Sequence, residues 1–330
     1  MSESLLTVDG LTVHLPSAAR PVIADVSFAL APGECLGVVG ESGSGKSVTA
    51  RSILGIPPAG MSASGTIQFG SHTYDVTDAE TMRRWRSKHV GVIFQDPASV
   101  MDPTRTVGDY LTEVLVYERR MRRTEALLKA AEMLTSMGLN DPRALLDRYP
   151  HEFSGGQLQR ICIAAALLPN PDLLIADEPT TALDNTTQAL VIDLLDRARR
   201  ERQVSTVFIT HNLELALAFC DRIAVAYAGR IVEIGDTRTV ERGGRHPYTN
   251  ALLRCQPDVS RRHETLPVIA GQPPTLAQPL TGCVFRERCP RATDVCVELP
   301  AWTAEDERLG YACVHPMTPG TTPSGVHDAA

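Results

Sequence analysis

No apolar run in these 330 residues approaches the roughly 20 that a helix needs to cross a bilayer. The opening Met-Ser-Glu-Ser has neither a basic n-region nor an apolar h-region, so it does not read as a secretory leader. A cytoplasmic chain whose membrane role is peripheral is therefore expected. Internal repeats are missing, and so is any long polar or single-sign tract, which argues against extensive disorder. Only residues 318–330 read as a loose tail. The formal charge is -7 and the arginines are spread along the chain instead of gathered in a stripe, so nucleic acid is not expected as the main partner.

What is present is an ordinary globular composition, 43% hydrophobic and 22% charged. The length exceeds one average domain and predicts one large α/β unit with a smaller appendage. Apolar runs at 5–13, 26–30 and 35–39 read as strands, and buried parallel strands are expected at 173–176 and 206–209. Helix starts are signalled at Lys46, at Asp78 and after Asp184. From 107 to 148 the pattern is helical throughout, and 124–137 carries apolar residues three and four apart, as an inserted helical subdomain at about 104–165 would. Residues 222–235 read as a hairpin turning at Ala228-Gly229. Prolines and glycines become frequent from Gly243, so the boundaries expected are a main unit at 1–242, an extension at 243–317 and the tail at 318–330.

Three motifs carry chemistry. Gly40, Glu41, Ser42, Gly43, Ser44, Gly45, Lys46 and Ser47 follow a strand and open a helix, the context a phosphate-binding loop requires. Its glycines let backbone N–H groups turn inward, Lys46 would contact the β- and γ-phosphates, and the Ser47 hydroxyl would ligate Mg²⁺. The strand ending at Asp177-Glu178 places one carboxylate to hold Mg²⁺ and the next to act as general base toward an in-line water. Phe153 followed by Ser154, Gly155, Gly156 and Gln157 opens an amphipathic to buried helix, a second anion site at a helix N-terminus.

In this order the motifs resemble those of the ABC ATPases over nearly the whole chain. The resemblance implies an ABC cassette, a RecA-like α/β core with an antiparallel β subdomain and an inserted helical subdomain, plus a small cysteine-containing C-terminal extension. It adds Val48 to the phosphate loop. Gln95 becomes the glutamine that senses the γ-phosphate and Mg²⁺, and His211 the histidine that contacts the γ-phosphate. Thr181-Ala182-Leu183-Asp184 becomes the loop that touches the opposite subunit. It further implies that two cassettes pair head to tail, each ATP lying between one chain's phosphate loop and the other's Ser154–Gln157. Two departures stand out: only His14 or Leu15 occupies the place of the aromatic that usually stacks on adenine, and Phe153 replaces leucine.

His246-Pro247-Tyr248-Thr249 and then Gly271-Gln272-Pro273-Pro274 are similar to the extension of the oligopeptide and dipeptide importers. The partners implied are a second, paralogous ATPase, two transmembrane permeases and an extracytoplasmic substrate-binding protein, with this chain on the cytoplasmic face of the membrane. Nickel or metallophore import is the alternative cargo. A soluble ABC ATPase acting on DNA or ribosomes is the alternative class, but neither long coiled-coil insertions nor a second cassette is present. Cys35, Cys162, Cys220 and Cys255 read as isolated structural thiols. Cys283, Cys289, Cys296 and Cys313 cluster in a chain expected to be cytoplasmic, which favours a metal over disulfides, with His315 as a substitute ligand. Spacing alone suits zinc or iron–sulfur; the resemblance favours a [4Fe-4S] cluster.

Overall fold

The computed structural model describes residues 4–181, 183–256, 268–306 and 308–318. Ala182 and residues 319–330 of the expected tail lie outside the described residues. An eight-stranded sheet forms the centre. Its order is Thr303–Ala304, Gly310–Tyr311, Arg230–Asp236, Arg222–Tyr227, Cys35–Val39, Ser205–Ile209, Leu173–Asp177 and Val90–Ile93. The last five are parallel. Cys35–Val39, Leu173–Asp177 and Ser205–Ile209 are buried at every position, as expected of unbroken apolar strands covered on both faces.

The period of two along these strands divides the core. Leu36, Val38, Leu173 and Ile175 pack on one side with Ile53, Met82 and Trp85. Cys35, Val39, Leu174 and Ala176 face the other, with Ile161, Leu194 and Phe219. The first side is roofed by a four-stranded antiparallel sheet, ordered Ile23–Leu30, Leu6–His14, Ser62–Phe69, His72–Asp75. Its last two strands were not legible in the sequence, because Ser62–Phe69 buries only Ile67 and Phe69 and His72–Asp75 is four residues long with none buried. The second side carries the inserted helices Val107–Tyr117, Arg123–Ser136 and Pro142–Leu146. The Thr106 side chain caps the first of these by accepting from Asp109 N–H.

The expected hairpin is Arg222–Tyr227 with Arg230–Asp236, turning at Ala228 (φ 48°) and Gly229 (φ 84°). Beyond it the chain returns to the core sheet: Gly310–Tyr311 pairs with Glu233 and Ile234, and Thr303–Ala304 pairs with Gly310–Tyr311. The extension is anchored on Glu233, whose carboxylate accepts from the N–H groups of Arg245 (2.6 Å) and His246 (2.8 Å) and from the Thr249 hydroxyl (2.5 Å). Burial raises the pKa of that carboxyl, while the three donors oppose the shift. Two cysteines expected to stand alone do not: Cys35 and Cys220 meet in the core with their sulfurs 3.4 Å apart.

Candidate active site

Neighbouring parallel strands deliver the functional side chains to one edge, the carboxyl ends of the strands, where ligands sit in open α/β sheets. Cys35–Val39 runs into the phosphate loop, Ser205–Ile209 toward His211, Leu173–Asp177 into Glu178 and Val90–Ile93 toward Gln95. The phosphate loop begins at Gly40, where φ is 153° and a Cβ would lie 2.1 Å from the Ala226 carbonyl oxygen, so no other residue fits. Helix Lys46–Ile53 follows, and no side chain caps its N-terminus.

Lys46 is 5% exposed and its Nζ donates to the carbonyls of Gly40 (2.9 Å) and Glu41 (3.0 Å), which fixes the ammonium inside the loop. Burial lowers its pKa, offset in part by Glu178, Asp177 and Glu41. The Ser47 hydroxyl donates to Asp177 Oδ1 at 2.9 Å. Burial raises the Asp177 pKa and the Glu178 charge reinforces it, against the Ser47 bond and Lys46. A hydroxyl and a desolvated carboxylate in contact are a donor set for a hard cation.

Glu178 has φ 48°, a left-handed backbone that costs a non-glycine residue about 1–3 kcal/mol. Its N–H donates to the Ile209 carbonyl (2.9 Å), which ties that conformation to the neighbouring strand. Its carboxylate, 13% exposed, accepts from Gln95 Nε2 (3.1 Å) and Thr181 Oγ1 (2.8 Å) and lies 3.3 Å from His211 Nδ1. An amide, a hydroxyl and an imidazole thus aim a carboxylate able to take a proton. Thr181 belongs to this group by geometry, although the sequence suggested for it only a place in the loop toward an opposite subunit.

Ser154–Gln157 stands apart. Ser154 caps helix Gly155–Leu167, accepting from Gln157 N–H (3.4 Å), while Gln157 Oε1 accepts from Ser154 N–H (3.0 Å). Ser154 and Gly155 are exposed. Gln159, buried on the same helix, donates to the Pro179 carbonyl at 2.7 Å and links this segment to the Asp177-Glu178 strand end. Asp184 caps Asn185–Arg202 through the N–H groups of Thr186 and Thr187.

The phosphate loop has partners far along the chain that the sequence did not disclose. Glu41 N–H donates to the Tyr248 hydroxyl (2.9 Å), and the Glu41 carboxylate takes both arms of the Arg288 guanidinium (2.7 and 3.0 Å). The local signal for Tyr248 was only a helix start after His246.

Cys283, Cys289, Cys296 and Cys313 line a single cavity with His246, His315, Arg286 and Arg291. Burial raises the thiols of Cys283 and Cys289 and pushes Cys313 up to about 11, helped by the other three cysteines. Among the described residues, no three His, Cys, Asp or Glu side chains are already arranged as a metal-ligand set. Burial also drives His246 down to about 3, so it is neutral. Its Nδ1 accepts from Tyr248 N–H, which leaves the proton on Nε2, and that buried nitrogen has no partner among the described residues.

Fold and strand-end cluster together define a phosphate-loop nucleotide hydrolase of the ABC type. Residues 23–181 match the family model described as ABC transporter, and residues 232–296 match that described as oligopeptide/dipeptide transporter, C-terminal region. The chain is 40% identical over 318 residues to the oligopeptide transport ATP-binding protein OppD of Escherichia coli K12, covering 96% of this chain and 94% of that protein. It is 42% identical over 298 residues to the dipeptide transport ATP-binding protein DppD of Bacillus subtilis 168, covering 89% of each. The dimeric structure of MJ0796, a bacterial ABC transporter cassette, superimposes with a TM-score of 0.63 at 26% identity, covering 71% of this chain and 99% of that one. A post-hydrolysis dimer of the same cassette with ADP and phosphate gives 0.62 at 26% identity, with the same coverage. The chain belongs to the ABC transporter ATP-binding proteins with an oligopeptide/dipeptide-type C-terminal region, and it is an ATPase. No helix among the described residues is long and apolar enough to cross a membrane.

Proposed function

We propose that this chain hydrolyses ATP to power import of oligopeptides or dipeptides across the cytoplasmic membrane, lying peripherally on the cytoplasmic face. It works with two permeases, a second and paralogous ATPase, and an extracytoplasmic substrate-binding protein. The observation that carries the reading is the joining of one complete strand-end cluster to an extension of the oligopeptide/dipeptide type, docked directly on the phosphate loop. That extension favours peptides over nickel or metallophores.

In the proposed mechanism the loop from Gly40 to Val48 cradles the ATP phosphates, and the Lys46 ammonium neutralises the β- and γ-oxygens. Ser47, Asp177 and Gln95 would hold Mg²⁺, which, when bound, supplies positive charge against the charge developing on the phosphates. Glu178, aimed by Gln95, Thr181 and His211, orients a water in line with the γ-phosphate and accepts its proton. His211 contacts the γ-phosphate. Ser154–Gln157 and Asp184 serve the partner's ATP, a role supported by the exposed cap of helix Gly155–Leu167. ATP thereby closes the pair of cassettes, and loss of the γ-phosphate contacts releases them.

The four cysteines that share the cavity are the donors a thiolate-held metal would use, and the resemblance to the oligopeptide and dipeptide importers favours a [4Fe-4S] cluster over zinc. Supporting this are the shared cavity, the adjoining Arg286 and Arg291, and the His246 Nε2–H, a buried donor that an anionic sulfur acceptor would satisfy. Iron and acid-labile sulfide analysis of anaerobically purified full-length chain, with its visible spectrum, tests the assignment; one equivalent of zinc in colourless protein would overturn it. Transport is tested by co-purifying the chain with its permeases and second ATPase and reconstituting them in vesicles with the binding protein. ATP-dependent peptide uptake is expected; uptake of nickel alone, or recovery of nucleic acid in place of permeases, would defeat the reading.

A further inference from the structure

Glu41 is an anionic side chain in the middle of a loop whose purpose is to hold a polyanion. Left free, its carboxylate would repel the incoming phosphates, since a partly solvated charge within the loop that receives them is weakly screened. The structure assigns its counter-charge to Arg288, and we propose that Arg288 is a positioning residue for ATP: it neutralises Glu41 and pins the phosphate loop in its binding shape from the C-terminal lobe.

The geometry is specific. Two parallel N–H···O bonds of 2.7 and 3.0 Å make a fork-to-fork pair, with side chains 5% and 24% exposed for Arg288 and Glu41. The guanidinium is not free to wander. It also donates to the carbonyls of Ala270 (2.9 Å) and Ile269 (3.2 Å) and to the Tyr227 hydroxyl (3.2 Å), and it lies 5.7 Å from the Tyr227 ring centroid. Tyr227 in turn packs on Tyr248, the residue whose hydroxyl receives Glu41 N–H. Backbone and side chain of Glu41 are therefore both held by residues beyond Arg242. Arg288 ends the short turn Arg286–Arg288, which stands between Cys283 and Cys289. Removing one member of a largely buried pair leaves the other charge uncompensated, and here the stranded charge would sit in the loop that receives the triphosphate.

The inference rests on the ATPase reading, and a binding cycle on the full-length chain separates the two. Dissociation constants for MgATP are measured by calorimetry for wild type, Arg288→Gln, Glu41→Gln and the double variant, with thermal melts recorded on each. Arg288→Gln is expected to weaken MgATP about tenfold, and the same substitution placed on Glu41→Gln to change affinity less than twofold, because no carboxylate remains to be neutralised. Arg288→Lys, which keeps the charge but loses the fork, is expected to recover at least half of the loss on a logarithmic scale. Equal losses in both backgrounds would reduce Arg288 to a brace of the lobe and overturn the proposal. Should Arg288→Gln fail to fold, the lysine variant decides: a loss of MgATP affinity of tenfold or more in Arg288→Lys relative to wild type would likewise overturn it. Wild type that binds no MgATP would defeat the ATPase reading itself.

Discussion

In the strand-end cluster the candidate side chains lie at, or within several residues beyond, the carboxyl ends of strands, and the parallel sheet brings those ends together. In the segment beyond Arg242 the anchoring bonds are single side chains reaching across 207 residues from Tyr248 and 247 from Arg288 to Glu41. The first arrangement rests on backbone pairing, which brings the strand ends together before any side chain in them makes a bond. The second is fixed by side-chain chemistry, so one substitution can detach it. The contrast predicts that damage to the cluster abolishes turnover without loosening the fold, whereas damage to the lobe acts through stability and nucleotide affinity.

The largest effect is expected from Glu178→Gln, which removes the carboxylate held by Gln95, Thr181 and His211. Hydrolysis should drop by at least about 100-fold while MgATP binding persists, as read by phosphate release and equilibrium binding on the assembled transporter. Lys46→Ala should instead destroy binding, weakening MgATP by about 100-fold or more, since it removes a desolvated charge set against the phosphates. On the other side of the comparison, Glu233→Gln replaces one of two acceptor oxygens that serve three donors. A stability loss of about 1–3 kcal/mol is expected, visible in chemical denaturation, with turnover per folded molecule little changed.

Glu233 also carries a pH signature. Its folded pKa is raised by burial, so its contribution to stability is complete below the ordinary glutamate range and is lost as pH rises through the raised value. Wild type should therefore lose part of its stability on going from acid to neutral pH through this group. Glu233→Gln should lack that component, and the difference between the two denaturation curves at several pH values isolates it. The smallest effect is that of Tyr248→Phe, which strands the Glu41 N–H and should cost about 1 kcal/mol or less in MgATP affinity. If it abolished hydrolysis outright, the division between cluster and lobe would not hold.

Most of the cluster was legible because its residue types are forced by local geometry. Gly40 cannot carry a Cβ, Lys46 must follow the loop, and Asp177 must end an apolar strand, so pattern and position coincide. Cys35–Val39 and Leu173–Asp177 were readable as unbroken apolar strands for the same reason. The strands Ser62–Phe69 and His72–Asp75 were not, since they are half exposed and carry few apolar residues. Gly310–Tyr311 and Thr303–Ala304 are two residues each, too short to show a period at all. Thr181, Tyr248 and Arg288 were missed as partners of the site because a polar side chain does not announce which distant atom it meets. Cys35 and Cys220 looked solitary, yet adjacent parallel strands and the helix that leads into one of them bring their sulfurs together.

The two short strands of the lobe have a further consequence, for the protein's behaviour at high concentration. Gly310–Tyr311 lies along Glu233 and Ile234, and Thr303–Ala304 then closes that side of the sheet, while the opposite side ends in the four-residue Val90–Ile93. Without the lobe, the seven-residue strand Arg230–Asp236 would be the rim, with its row of backbone donors and acceptors open to any passing strand. Pairing at Glu233 and Ile234 interrupts that row in its middle, so the same segment that contacts the phosphate loop also breaks up the template a passing strand would need.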